Sequence, residues 1–163
     1  MKFQNPIVFF IMLIVSIFLY CKNGPNAAID TGLTQEYKLI VERGGFHYDR
    51  FEVTPSQITY FPQENSQHLD IKYNSISKST LDSIQTMEFF EELIEKGFWD
   101  LKNKYQNDGS CTSMLRITFI ANGKRKVVVC EDFDSGCHNL IKDIDSEVID
   151  MEGNDLKRIY LPG

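Results

Sequence analysis

The stretch "SMLRITFIANGKRKVVVCE", Ser113–Glu131, decides how the chain folds. Two runs rich in β-branched residues flank Asn122-Gly123. That dipeptide suits a two-residue type I′ turn, whose central residues both need positive φ. With Ala121 and Lys124 flanking the turn, the register follows: Leu115 faces Cys130, Ile117 faces Val128, and Phe119 faces Lys126. This face is apolar except at the turn end, so it predicts a hairpin with one buried side. The basic run "GKRK", Gly123–Lys126, falls at the turn and reads as solvated, with a small phosphate or headgroup contact as the minor alternative.

Upstream of the hairpin lies the clearest helix. Apolar residues recur at Met87, Phe90, Leu93, Ile94, Gly97, Phe98 and Leu101, a helical period. Thr86 is the expected N-cap, with Glu88, Glu91 and Glu92 near the positive end of the helix dipole. If the helix ran on, Trp99 would point opposite to Phe90. A stop at Gly97 in the left-handed conformation avoids this and lets "FWDL" pack back as a corner. Downstream, a second helix is expected to begin near Asp134 or Ser135, with Cys137, Leu140, Ile141, Ile144 and Val148 as its stripe. "LKRIYLPG" reads as a tail or an added edge strand.

Before the first helix, "EYKLIVER", "FHYDRFEV", "QITYF" and "HLDIKY" alternate or are β-rich, with Gly44-Gly45 and "TPS" between them as turns. Short polar links favour adjacent hairpins, so these four read as an antiparallel meander. "NSISKST" reads as a Ser-rich connection. The expected class is therefore α+β: an antiparallel four-strand meander, a helix, a β-hairpin and a C-terminal helix.

The N-terminus has a different character. Ile7–Tyr20 is fourteen residues long with only Ser16 plainly polar. As a helix it would span about 21 Å at ~1.5 Å per residue, against the ~30 Å of a bilayer core. Together with Lys2, this suits a signal peptide over residues 1–20; an uncleaved anchor that draws in Phe3 and Pro6 is the alternative. Ala27 and Ala28 are poor small-x-small cleavage sites, having Pro25 and Asn26 at the third position back. "FLYC", ending at Cys21, resembles the lipobox of bacterial lipoproteins, although the family favours Leu and a small residue where this chain has Phe18 and Tyr20. The resemblance implies lipidation of Cys21 by more than one acyl chain. It also implies export to the bacterial cell envelope, as an outer-membrane or periplasm-facing lipoprotein. Two chains anchor stably where one does not. Residues 21–34, including "KNGPNAAIDTG", read as a tether, and 35–163 as a single α+β domain. Residues 86–150 also resemble a set of small uncharacterised exported bacterial proteins with an F-W-x-L … D-G … hairpin-helix pattern, here Phe98, Trp99, Leu101, Asp108 and Gly109. That resemblance implies an α+β domain and no known activity.

Removing residues 1–20 from 163 leaves 143, enough for one core. The chain carries 17 Lys and Arg against 23 Asp and Glu, and loss of Lys2 takes its net charge from −6 to −7. Phosphate binding needs a basic face, so nucleic acid is not an expected partner. With Cys21 lipidated, Cys111, Cys130 and Cys137 remain, and an odd number leaves one free. Cys130 faces inward beside Leu115, while Cys111 and Cys137 both fall where strand pairing ends. A Cys111–Cys137 disulfide is therefore expected, with Cys130–Cys137 as the alternative.

"CHN", Cys137–Asn139, invites a nucleophile reading, but Glu131, Asp132 and Asp134 would oppose a thiolate. "EDFDSGCHN" fails the EF-hand spacing: started at Asp132, its sixth position is Cys137 and its twelfth is Asp143. His47 and His68 share no ligand spacing. The sequence thus points to no metal, no cofactor and no catalytic residue. Its function reads as a non-enzymatic binding or accessory module, held to the membrane by its lipid and contacting a protein or envelope component through its sheet or loops. The alternative is a hydrolytic or redox enzyme using Cys137 or a carboxylate site.

Overall fold

A computed structural model describes residues 36–45, 48–106 and 113–159. The leader, Cys21, the tether, His47, Asp108, Gly109 and Cys111 lie outside the described residues. Within them the strands are β1 (Lys38–Gly44), β2 (Arg50–Thr54), β3 (Gln57–Phe61), β4 (Ser77–Thr80), β5 (Lys104–Tyr105), β6 (Met114–Ala121) and β7 (Lys124–Cys130). The helices are α1 (Ser83–Glu95) and α2 (Asn139–Glu152). The chain is α+β, with one seven-stranded sheet in the order β4-β3-β2-β1-β6-β7-β5.

The β6–β7 hairpin forms in the expected register: Leu115 opposite Cys130, Ile117 opposite Val128, Phe119 opposite Lys126. Asn122 and Gly123 have φ of 53° and 73°, as a type I′ turn requires. β6 also pairs with β1, placing Leu39 opposite Phe119 and Val41 opposite Ile117. One sheet face therefore carries Leu39, Val41, Phe51, Val53, Ile58, Tyr60, Leu115, Ile117 and Phe119, all fully buried. Both helices cover this face. Phe90 of α1 packs on Phe119, and Asp145 of α2 bonds Arg43 from β1. Lys126 lies on β7, a strand that β5 flanks only at its far end, and its ammonium donates to the carbonyls of Trp99 and Leu101. A lysine there also discourages edge pairing by another chain.

The meander has four strands, but its last member is not "HLDIKY". Leu69 and Ile71 in that run are 100% and 79% exposed. Asp70 caps a 3₁₀ turn over Ile71–Asn74, accepting from Lys72 N. The Asn74 side chain closes the preceding loop, accepting from Ser66 and His68 and donating to His68 O. These local side-chain bonds compete with strand pairing and prevail over three alternating apolar residues. β4 is instead "SKST", within the run read as a connection, paired from Gln57–Thr80 to Tyr60–Ser77. Its serines join the sheet to the helix layer: Ser77 and Ser79 donate to the carboxylate and carbonyl of Glu152 at the end of α2.

Both helix starts also differ from expectation. α1 is capped by Asp82, whose carboxylate accepts from Ile84 N and Gln85 N, while the Thr86 hydroxyl donates to Asp82 O inside the helix. The stop at Gly97 holds, with φ of 82°. Trp99 then lies in a 3₁₀ turn, half-buried and stacked 5.3 Å from Phe119. α2 begins at Asn139, not at Asp134 or Ser135. Asp132 accepts from Asp134 N and Ser135 N, holding this stretch as a turn, and His138 Nδ1 caps the helix by accepting from Leu140 N.

Cys137 therefore precedes the helix, and its disulfide joins it to Cys130, not to Cys111, with the Cα atoms 5.7 Å apart. The inward orientation of Cys130 is what makes this possible. The turn of residues 131–138 folds back over the end of β7 and brings Cys137 onto the same side. The hairpin register stands although the expected pairing does not. The described part of the tail forms no strand; Leu156 is fully buried in the core instead.

Candidate functional site

The β1–β2 end of the sheet carries the candidate site. A cleft of about 510 Å³ opens there, lined in part by Glu42, Tyr48, Arg50, Phe61, Met114 and Arg116. Alternation along the strands puts Glu42, Arg50 and Arg116 on the sheet face that the helices leave uncovered. Arg50 stacks its guanidinium 4.4 Å from the Phe61 ring centroid, forming a cation–π pair, and bridges to Glu52 at 3.1 Å. Tyr48 is 56% exposed. A side chain at Gly44 would meet Met114 Cε at 2.9 Å and the Tyr48 ring at 3.0 Å, so the glycine makes room for the tyrosine.

On the other side of the same strands a buried ionic cluster fixes the floor of the cleft. The Arg43 amide donates to Asp49 O and closes the β1–β2 end. The Arg43 side chain donates through Nε to Asp145 at 2.8 Å and through Nη1 to Leu156 O at 2.7 Å, and lies 3.7 Å from Asp49. Its plane packs over Phe51. Arg158 adds a second guanidinium, 3.8 Å from Asp145 and over the Phe133 ring, donating to Met114 O. One arginine thus ties β1, β2, α2 and the C-terminal tail together.

Burial pushes the Asp49 carboxyl up to about 6, and Asp145 adds to this, while Arg43 and Arg158 pull the other way. Burial alone would lower Arg43, but Asp145 and Asp49 outweigh it and raise the guanidinium. Tyr60 is pushed up by burial and by Asp49. The Tyr60 hydroxyl and Arg43 Nη2 are buried with no hydrogen-bond partner among the described residues, so the cluster's ion pairs are partly offset by desolvation.

The residues singled out in the sequence do not converge on this cleft. Cys137 is held in a disulfide with Cys130 and so presents no free thiol in this state. His138 is a helix cap and His68 packs edge-on against Tyr73. Among the described residues no group of three or more His, Cys, Asp or Glu side chains is placed to hold a metal, and no helix is long and apolar enough to cross a membrane. Sequence reasoning missed the ionic cluster, although two signals were present. Arg43 continues the inward positions Leu39 and Val41, and Asp145 interrupts the apolar stripe between Ile144 and Val148. A charge on a core-facing position needs a buried partner. Comparison with protein-family models, with curated proteins and with solved structures returned no match for this chain.

Proposed function

We propose that this chain is a lipid-anchored cell-envelope protein, attached through Cys21, that acts as a non-enzymatic binding module using the cleft at the β1–β2 end. The observation that carries the binding reading is the set of cleft walls. Tyr48 and Phe61 provide rigid aromatic surface, and Arg50 and Arg116 provide planar donors, the residue types that dominate binding energy at recognition sites. Glu42 and Glu64 line the same cleft and balance the arginines, which favours a peptide or envelope component of mixed charge over a purely anionic ligand. An enzymatic reading would fall on Asp49, the carboxyl raised towards neutrality. Arg43 and Asp49 both contribute to the cleft lining, but the Asp49 side chain is only 1% exposed and lies 3.7 Å from Arg43, which speaks against direct contact between its carboxylate and a ligand.

The test is photo-crosslinking in the native host, with the full chain carrying a photo-reactive side chain at Tyr48. A discrete adduct at position 48, absent when the probe sits at Lys157, is the expected result, and the adduct's composition identifies the ligand class. Equal labelling at both positions would remove the cleft as the binding site. Attachment is tested separately: Cys21→Ala should abolish acyl labelling and detergent partitioning, and an unchanged mature mass and partitioning would refute the anchor.

A further inference from the structure

The helix layer carries a charge excess out of proportion to its size. Asp82–Lys96 holds five carboxylates and one lysine, as does Asn139–Glu152, so these two stretches contribute −8 in a chain whose total is −6. The remainder of the chain is therefore net +2. Asp145 and Glu152 are buried, but most of the other acids project outward.

α1 combines this charge with uncovered apolar surface. Ile84 is 73% exposed although it lies on an ordered thirteen-residue helix. Two depressions run along α1 and share Glu88 and Glu92. One, of about 560 Å³, is lined by Ile84 and Met87 with Glu91 and Glu95. The other, of about 470 Å³, lies between α1 and α2, with Leu81, Phe89 and Met151 as apolar lining and Asp82 and Glu147 beside them. Among the described residues, no lysine or arginine lines either one. Beside them Lys96 bridges to Glu92 at 2.8 Å, with both groups about half exposed. A solvated pair of this kind is weak and yields to a competing cation.

We propose that the α1 face docks a cationic amphipathic segment of a partner protein. The segment's apolar side chains would seat in the two depressions and its lysines or arginines would pair with Glu88, Glu92 and Glu147. Charge complementarity selects this occupant. Residues 21–34 hold only Lys22 and Asp30 as charges and are net neutral, so the chain's own tether does not match the rim. An anionic lipid surface is repelled by it. The surface is separate from the cleft, so its test stands or falls independently of the binding role proposed for that cleft.

The full chain, in neutral detergent, is titrated against three labelled peptides of about 14 residues, long enough to match α1. They are a Leu/Lys peptide with helical apolar spacing, a Ser/Lys peptide of equal charge, and a Leu/Glu peptide. The Leu/Lys peptide alone should bind saturably. The triple variant Glu88→Gln, Glu92→Gln, Glu147→Gln should weaken it roughly tenfold, the combined effect of three exposed ion pairs. Ile84→Ser, at an exposed site, should weaken it with the fold intact. A control with the same change in net charge, Glu64→Gln, Glu131→Gln, Asp155→Asn, should leave binding within about twofold, since these residues belong to neither helix and line neither depression. Equal weakening by the control, or equal binding of the Ser/Lys peptide, would mean general electrostatic attraction and overturn the proposal. Absence of Leu/Lys binding, or concentration-dependent self-association removed by the Glu triple variant, would overturn it too.

Discussion

Replacing Asp49 with Asn tests the buried ionic cluster through its pH dependence. Burial pushes the carboxyl up to about 6 in the folded chain, against an ordinary 3.8. A folded-state pKa raised above the unfolded one means that the folded form holds the proton more tightly. The resulting stability is fully present below about 4 and is lost as pH rises through about 6. At ~1.36 kcal/mol per unit, the ionised carboxyl costs about 3 kcal/mol at pH 8 relative to the protonated one. Asn keeps the shape and cannot ionise. Arg43 retains Asp145 and Leu156 O as partners, so the variant does not strand the guanidinium. Urea unfolding of both proteins, followed by the emission of Trp99, gives the difference in stability at each pH. Relative to wild type, Asp49→Asn should gain about 2–3 kcal/mol between pH 4 and pH 8, with most of the change between pH 4 and 6.5. Parallel pH profiles for the two proteins would refute the raised carboxyl. A variant that loses ground as pH rises would show that the Arg43 pairing outweighs burial.

Three further outcomes follow from the packing. The Cys130–Cys137 bridge closes a short loop, with a sequence separation of 7. On the chain-entropy model its loss costs about 2.5 kcal/mol, so Cys130→Ala and Cys137→Ala should each destabilise by about that plus a small packing loss, with little added in the double variant. Non-reducing peptide mapping that recovered a 111–137 linkage would contradict this. Leu156→Ala empties a fully buried core position and should cost about 2–5 kcal/mol in chemical unfolding; a loss under 1 kcal/mol would mean that the tail is not part of the core. Gly44→Ala should push Tyr48 and the end of Met114 aside at small cost in stability, because both are side-chain ends, and should abolish the crosslink from position 48. A crosslink of unchanged yield would show that the Tyr48 pose is not what the ligand meets.

How much was legible in the sequence differs from element to element, and the difference is one of range. The β6–β7 hairpin was readable down to its register, because Asn122-Gly123 carries its own backbone geometry and the alternation of Leu115, Ile117 and Phe119 leaves one face to bury. The end of α1 was readable for the same reason: Gly97 adopts a conformation that few other residues accept. Four strands in sequence order before α1 were also expected, but the identity of the fourth was not. "HLDIKY" has the alternation of a strand, while "SKST" has none of the apolar character. The choice was made by Asp70 and Asn74 closing a local loop, and by the end of α2, which arrives beside Ser77 and Ser79 from more than seventy residues away.

The candidate site was the least legible part. Glu42, Arg50 and Arg116 come from three strands, and Tyr48 and Phe61 from the segments flanking β2 and ending β3, so no local pattern joins them. Arg43 and Asp145 each break an apolar pattern in their own element, but only the packing of α2 on β1 shows that the two breaks meet. The cysteines show the same division. Local alternation determined that Cys130 points inward, and it does. Which sulfur it meets depended on how far residues 131–138 fold back, a matter of loop closure that Asp132 settles by bonding the amides of Asp134 and Ser135. Backbone stereochemistry and binary patterning act over a few residues, so one sequence determined them for this protein. Pairings between segments depend on distances closed only when the whole core packs, and those the tertiary structure alone decided.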